Sequence, residues 1–168
     1  MGQGCGMLVP LLMLQAAPPA AAVSDCLAAE HRQLDFWLGR WEVRDTRTGA
    51  PAGESEIAAV FKGCALQETF KGVDGFEGGS LNLWDRARGE WVQFGSGSTG
   101  ARRLFAGRWD GSRMNLLSEQ ARPNAPTVLI RMHLQPTPDG AVRQWSESSG
   151  DYGVSWRGRY DYTYRRKG

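Results

Sequence analysis

The stretch Leu34-Asp35-Phe36-Trp37-Leu38-Gly39-Arg40-Trp41-Glu42-Val43 packs two Trp, one Phe and two Leu together and changes period at Gly39. Before Gly39 the spacing of Leu34, Trp37 and Leu38 predicts one or two helical or 3₁₀ turns over 30–38. After it, Trp41 and Val43 alternate with Arg40, Glu42 and Arg44, the pattern of a half-buried strand. Glycine suits the corner because it accepts positive φ and lets the helical turn lie close on a sheet. Phe36, Trp37, Gly39 and Trp41 are therefore expected to form a plug closing one end of a β-barrel.

Downstream of this corner the chain reads as short strands ended by turn chemistry, rich in Trp, Tyr, Phe, Val and Leu. Expected strands cover 40–44, 55–61, 64–70, 80–84, 91–94, 102–109, 114–119, 128–135, 142–148 and 154–165. Lys62-Gly63 interrupts the second and third as a bulge or sharp bend would. Asp110-Gly111 between alternating runs is a strong hairpin signal, and a Pro-containing loop is expected through Pro123 and Pro126. In the last strand Trp156, Tyr160, Tyr162 and Tyr164 share one face. Nine or ten strands in series, without a long helix to cross over, pair antiparallel. Such a meander removes its edges by closing on itself. The fold class is all-β, an up-and-down barrel in a single domain.

Residues 1–22 carry no charged side chain and include the apolar run 7–14, followed by small residues ending in Ala20-x-Ala22. This reads as a secretory signal with cleavage near Ala22, too short to span a bilayer, which needs about 20 apolar residues. The mature domain is then 23–168, secreted or periplasmic. Twenty Lys+Arg against 18 Asp+Glu, interspersed, give no field favouring nucleic acid or an anionic membrane. Cys26 and Cys64 remain as an even pair, most simply a disulfide in an oxidising compartment. Closing that loop adds roughly 3 to 4 kcal/mol by chain entropy.

Gly39-Arg40-Trp41 resembles the G-x-W signature that opens the first strand of lipocalins and their calycin relatives. More specifically, LDFWLGRWEV (34–43), GCALQE (63–68), GGSLNLWD (78–85), WVQ (91–93), the Arg131 strand and DGAVRQW (139–145), with the closing SW and YTYR, resemble a family of uncharacterised, mostly bacterial lipocalin-like proteins whose opening is of the FDFWLGxWxV type. The resemblance implies a calycin barrel in which an Arg of the last strand, Arg165 or Arg166, stacks on Trp41. The chain departs from the family pattern at His133, Leu134 and Ser146, and the resemblance implies no particular reaction.

A small barrel either fills its interior or holds one small ligand there, and the end opposite the plug is the default site. Ligand-facing candidates are polar residues with an aromatic or apolar neighbour on the same face: Asn82 with Trp84, Trp91 with Gln93, Arg131 with His133, and Gln144 with Ser146. Arg131 inside the barrel would fork onto a carboxylate or phosphate. Alternatively Arg131 and His133 form the solvent face while Val128, Ile130, Met132 and Leu134 face the core. Glu68, Glu147 and His133 are the acid-base candidates. No metal-ligand spacing is present, so no metal is expected, and haem enters only through His133, by analogy with nitrobindin barrels. Gly95-Ser96-Gly97-Ser98-Thr99-Gly100 matches G-x-G-x-x-G, but the dinucleotide motif needs a helix to follow, and here a strand does. The expectation is a barrel that binds a small apolar or aromatic molecule without transforming it. The alternatives are an acid-base enzyme using the same cavity and a filled, structural barrel.

Overall fold

The computed structural model describes Met1 and residues 26–168 except 123. The secretory-signal reading of 1–22, cleavage site included, lies outside the described residues but for Met1. Two 3₁₀ turns, Ala29–Arg32 and Asp35–Trp37, lead into β1 (Gly39–Asp45). Then follow β2 (Pro51–Val60), β3 (Ala65–Gly72), β4 (Glu77–Asp85), β5 (Glu90–Gly97), β6 (Arg103–Trp109), β7 (Met114–Arg122), β8 (Ala125–Pro136), β9 (Val142–Ser149) and β10 (Arg157–Arg166). Each strand pairs antiparallel with the next, and β1 pairs with β10, closing the barrel. The expected closed antiparallel meander of nine or ten strands forms, with ten.

The aromatic corner behaves as its sequence dictates. Gly39 has φ +129°, a conformation that favours glycine, and a Cβ there would stand 2.6 Å from Arg166 Nη1 and push that guanidinium aside. Leu34, Trp37 and Trp41 are fully buried, and Trp41 Nε1 donates to the Trp37 carbonyl at 2.9 Å. Phe36 packs on Trp109 across the barrel end, with ring centroids 5.6 Å apart. The Arg166 guanidinium covers Trp41 at 4.5 Å, so of the two arginines it is Arg166 that fills this place. The Cys26–Cys64 disulfide ties the segment before the plug to the start of β3.

Three local expectations are corrected. β2 ends at Val60 because Phe61, Lys62 and Gly63 all take positive φ, in a 3₁₀ turn that delivers Cys64 to its partner. The loop through Pro126 is instead a tight hairpin: Asn124 takes φ +56°, Arg122 already pairs with Ala125, and Pro126 belongs to β8. Trp156 does not share the inner face with the three tyrosines. The pairing of β10 with β9 slips between Gly158 and Tyr160, which reverses side-chain parity and leaves Trp156 beside the outward Arg131.

Candidate functional site

Above the plug the interior opens into a cavity of about 320 Å³, near the lower end of ligand pockets. Tyr164 separates the two regions. Its ring meets Trp37 and Trp41 edge-on from one side, and its hydroxyl reaches the cavity floor. That hydroxyl donates to Gln144 Oε1 at 2.9 Å and lies 3.5 Å from Glu68 Oε1.

The floor is a chain of neutral polar groups converging on one carboxyl. Gln93 Nε2 donates to Asn82 Oδ1 at 2.8 Å, and Asn82 Nδ2 donates to Ser80 Oγ at 3.0 Å. Ser80 Oγ donates to Glu68 Oε2 at 3.0 Å, and Ser55 Oγ donates to Glu68 Oε1 at 3.1 Å. Glu68, Ser80, Gln93 and Gln144 come from four different strands because alternate residues of each strand point inward. Protein encloses Glu68, whose remaining exposure is to the cavity. Burial pushes its carboxyl above the usual carboxylate range, and the hydroxyls of Ser80, Ser55 and Tyr164 only partly oppose this.

Aromatic and sulfur groups make the wall. Tyr160 and Tyr162 stack at 4.9 Å, and the Tyr160 hydroxyl sits 3.1 Å from Met132 Sδ. Burial and the Glu68 charge hold Tyr160 and Tyr164 well above the ordinary phenol range, so both remain neutral. At the mouth Phe70 and Phe76 lie 6.3 Å apart on beds of glycine. A Cβ on Gly53 would come within 2.8 Å of Phe70, and one on Gly78 or Gly97 within 2.8 Å or 2.5 Å of Phe76. Arg103, Arg159 and Asp74 complete the rim.

The candidates divide by strand parity. Glu68, Gln93 and Gln144 line the cavity, and Asn82 supports its floor from beneath. Trp84 and Trp91 face inward but pack below the floor, where Trp91 Nε1 donates to Gln33 at 3.0 Å. Arg131 and His133 take the outer face, the second of the two readings of β8, since Ile130, Met132 and Leu134 hold its inward positions, and Glu147 lies outside with them rather than in the cavity. There Arg131 Nε pairs with Glu147 Oε2 at 2.7 Å and stacks on Trp156 at 4.1 Å. His133 bonds Asn115 Oδ1 at 2.8 Å and stacks on Trp145 at 4.8 Å. The His133 ring, the one haem-ligand candidate, therefore lies outside the cavity. His31, the other imidazole, is buried at the closed end, where Arg86 Nε approaches its Nε2 at 3.3 Å. Among the described residues no cluster of three or more His, Cys, Asp or Glu could hold a metal ion.

Gly95 and Gly97 of the glycine-rich stretch belong to β5, and Gly95 lines the cavity. Sequence reasoning missed Phe70, Phe76, Ser55 and Ser80. The available signal was the density of glycine at 72, 75, 78, 79, 95 and 97, more than turns alone require. Set against known proteins, the chain matches no family model and no curated protein.

Proposed function

We propose that this is a lipocalin-like barrel, secreted or periplasmic, that binds one small, largely aromatic molecule in its cavity without transforming it. The observation that carries the reading is the unfilled space at the open end: a cavity with tyrosine and phenylalanine walls above a hydrogen-bonded polar floor, which a barrel serving only as a scaffold would fill. The Cys26–Cys64 disulfide supports an oxidising compartment. Among the described residues no helix is long and apolar enough to cross a membrane.

A second reading, an enzyme with Glu68 as general acid or base, is favoured by the upward-shifted carboxyl inside the cavity. It has less to work with, because Glu147 and His133 lie outside and only the neutral hydroxyls of Ser55, Ser80 and Tyr164 accompany Glu68. Native mass spectrometry of the protein from its own host, repeated after denaturation, separates these readings when combined with titration of the apolar fluorophore N-phenyl-1-naphthylamine. Binding predicts a mass excess lost on denaturing, or one saturable fluorophore site that Gly95→Leu abolishes. A bare mass together with no fluorophore uptake overturns the proposal. Recovery of a chemically altered ligand establishes the enzyme instead.

A further inference from the structure

The carboxyl of Glu68 faces the cavity with no basic side chain paired to it among the described residues, although the chain has 20 Lys and Arg. The groups that donate to it are the neutral hydroxyls of Ser55 and Ser80, and the third polar neighbour, the Tyr164 hydroxyl, lies 3.5 Å away. Its ionisation is governed by burial and by those hydroxyls. Retaining an uncompensated buried acid is costly, and glutamine in the same space would satisfy the same serines without that cost. A carboxyl kept there, facing an open cavity, is placed for a cation arriving from outside.

The rest of the cavity suits such a cation. The neutral rings of Tyr160 and Tyr162, with Phe70, line the same cavity as Glu68, and a cation seated beside them gains from ring quadrupoles as well as from the carboxylate. Met132 Sδ and the Gln144 side chain extend this soft, uncharged lining. The charged groups Arg103, Arg159 and Asp74 stand at the rim, and both arginines are exposed to screening water. A cavity of about 320 Å³ admits one or two fused rings with a short side chain, at the small end of known ligand pockets. We propose that the cavity recognises a small aromatic amine, its ammonium seated on Glu68 at the floor and its ring against Tyr160, Tyr162 and Phe70. This rests on the binding reading above and narrows it to a ligand class.

The pairing carries a proton signature. In the empty barrel the Glu68 carboxyl holds its proton to higher pH than an ordinary glutamate. An ammonium favours the ionised form, so binding below the raised pKa expels that proton to the buffer, and affinity for the amine falls as pH is lowered through it. Tyr160, Tyr162 and Tyr164 all have raised pKa values and do not titrate in this window.

Calorimetric titration with tryptamine and with tryptophol, its uncharged hydroxyl counterpart, tests the proposal on the wild-type protein and on Glu68→Gln. N-phenyl-1-naphthylamine uptake serves as the check that each protein is folded with an open cavity. The expected result is a preference for tryptamine of about tenfold or more in the wild type, equivalent to ~1.4 kcal/mol. That preference should shrink as pH is lowered and vanish in Glu68→Gln, with tryptophol affinity little changed. Equal affinity for the two compounds, an amine preference that survives in Glu68→Gln, or failure of tryptamine to bind a barrel that takes up the fluorophore overturns the amine assignment while leaving the binding function standing. Failure of the fluorophore as well overturns both.

Discussion

The two ends of the barrel are built from the same kinds of residue to opposite effect. At the closed end, Phe36 and Trp37 enter from the 3₁₀ turn outside the sheet and Trp41 from β1, and together they fill the interior. Trp37 and Trp41 are completely buried and meet Tyr164 edge-on, leaving no space. At the open end, Phe70 and Phe76 belong to β3 and the loop after it, and they lie against the wall itself, over Gly53, Gly78 and Gly97. Rings laid on glycine thicken the wall without spanning the lumen. The difference between plug and pocket is thus set less by aromatic content than by where the rings originate and what backbone lies beneath them.

Substitutions should separate the ends by size and by sign. The largest expected effect is at the plug: Trp41→Ala removes a fully buried ring and the Trp41 to Trp37 hydrogen bond. It should cost about 3–5 kcal/mol in urea unfolding; a loss under about 1 kcal/mol would show that the closed end is not the anchor. Replacing Cys26 and Cys64 together by serine frees a link across 38 residues and should cost about 4 kcal/mol by loop entropy. Fluorophore affinity should be unchanged, since the bridge lies beyond the plug.

At the pocket the sign reverses. Glu68→Gln should stabilise the ligand-free protein by about 1–2 kcal/mol at neutral pH, relieving an uncompensated buried acid. The folded carboxyl keeps its proton above the unfolded value of about 4.3, so between that value and its raised folded value the native state holds more protons than the unfolded chain. Wild-type stability should therefore fall as pH rises through this interval. Glu68→Gln should show a flatter profile there, and parallel profiles in thermal melts would refute the assignment. The smallest effect belongs to the outer wall, where Glu147→Gln removes a partly exposed pair with Arg131. It should cost about 0.5–1 kcal/mol and leave fluorophore binding untouched; a large loss of binding would mean that the outer face communicates with the cavity.

The sequence made the closed end legible because its signals are local: a helical spacing, a change of period at Gly39, and alternation in β1. The cavity was legible in part, through Glu68, Gln93 and Gln144. What escaped depends on parity across distant pairings. In β8 both faces look plausible as core, and His133 is nearly buried from outside because Trp145 stacks on it. Trp156 changes face through a slip in pairing that leaves no mark in the residue pattern. Phe76 sits in a turn, where alternation says nothing, and its role emerges only from the glycines it covers.

The seam between β1 and β10 sets Trp41 opposite Arg166 and Val43 opposite Tyr164, so the barrel is fastened by its most widely separated strands. Whatever part of the meander orders first, the sheet keeps two unpaired edges until residues 157–166 arrive, and Tyr164 brings both the lid of the plug and a hydroxyl of the cavity floor with it. Closure and completion of the pocket are consequently one event, governed by long-range contacts that form slowly. A chain lacking residues 157–166 would lose part of the cavity floor and expose two sheet edges at once, leaving an aggregation-prone open sheet in place of the closed barrel.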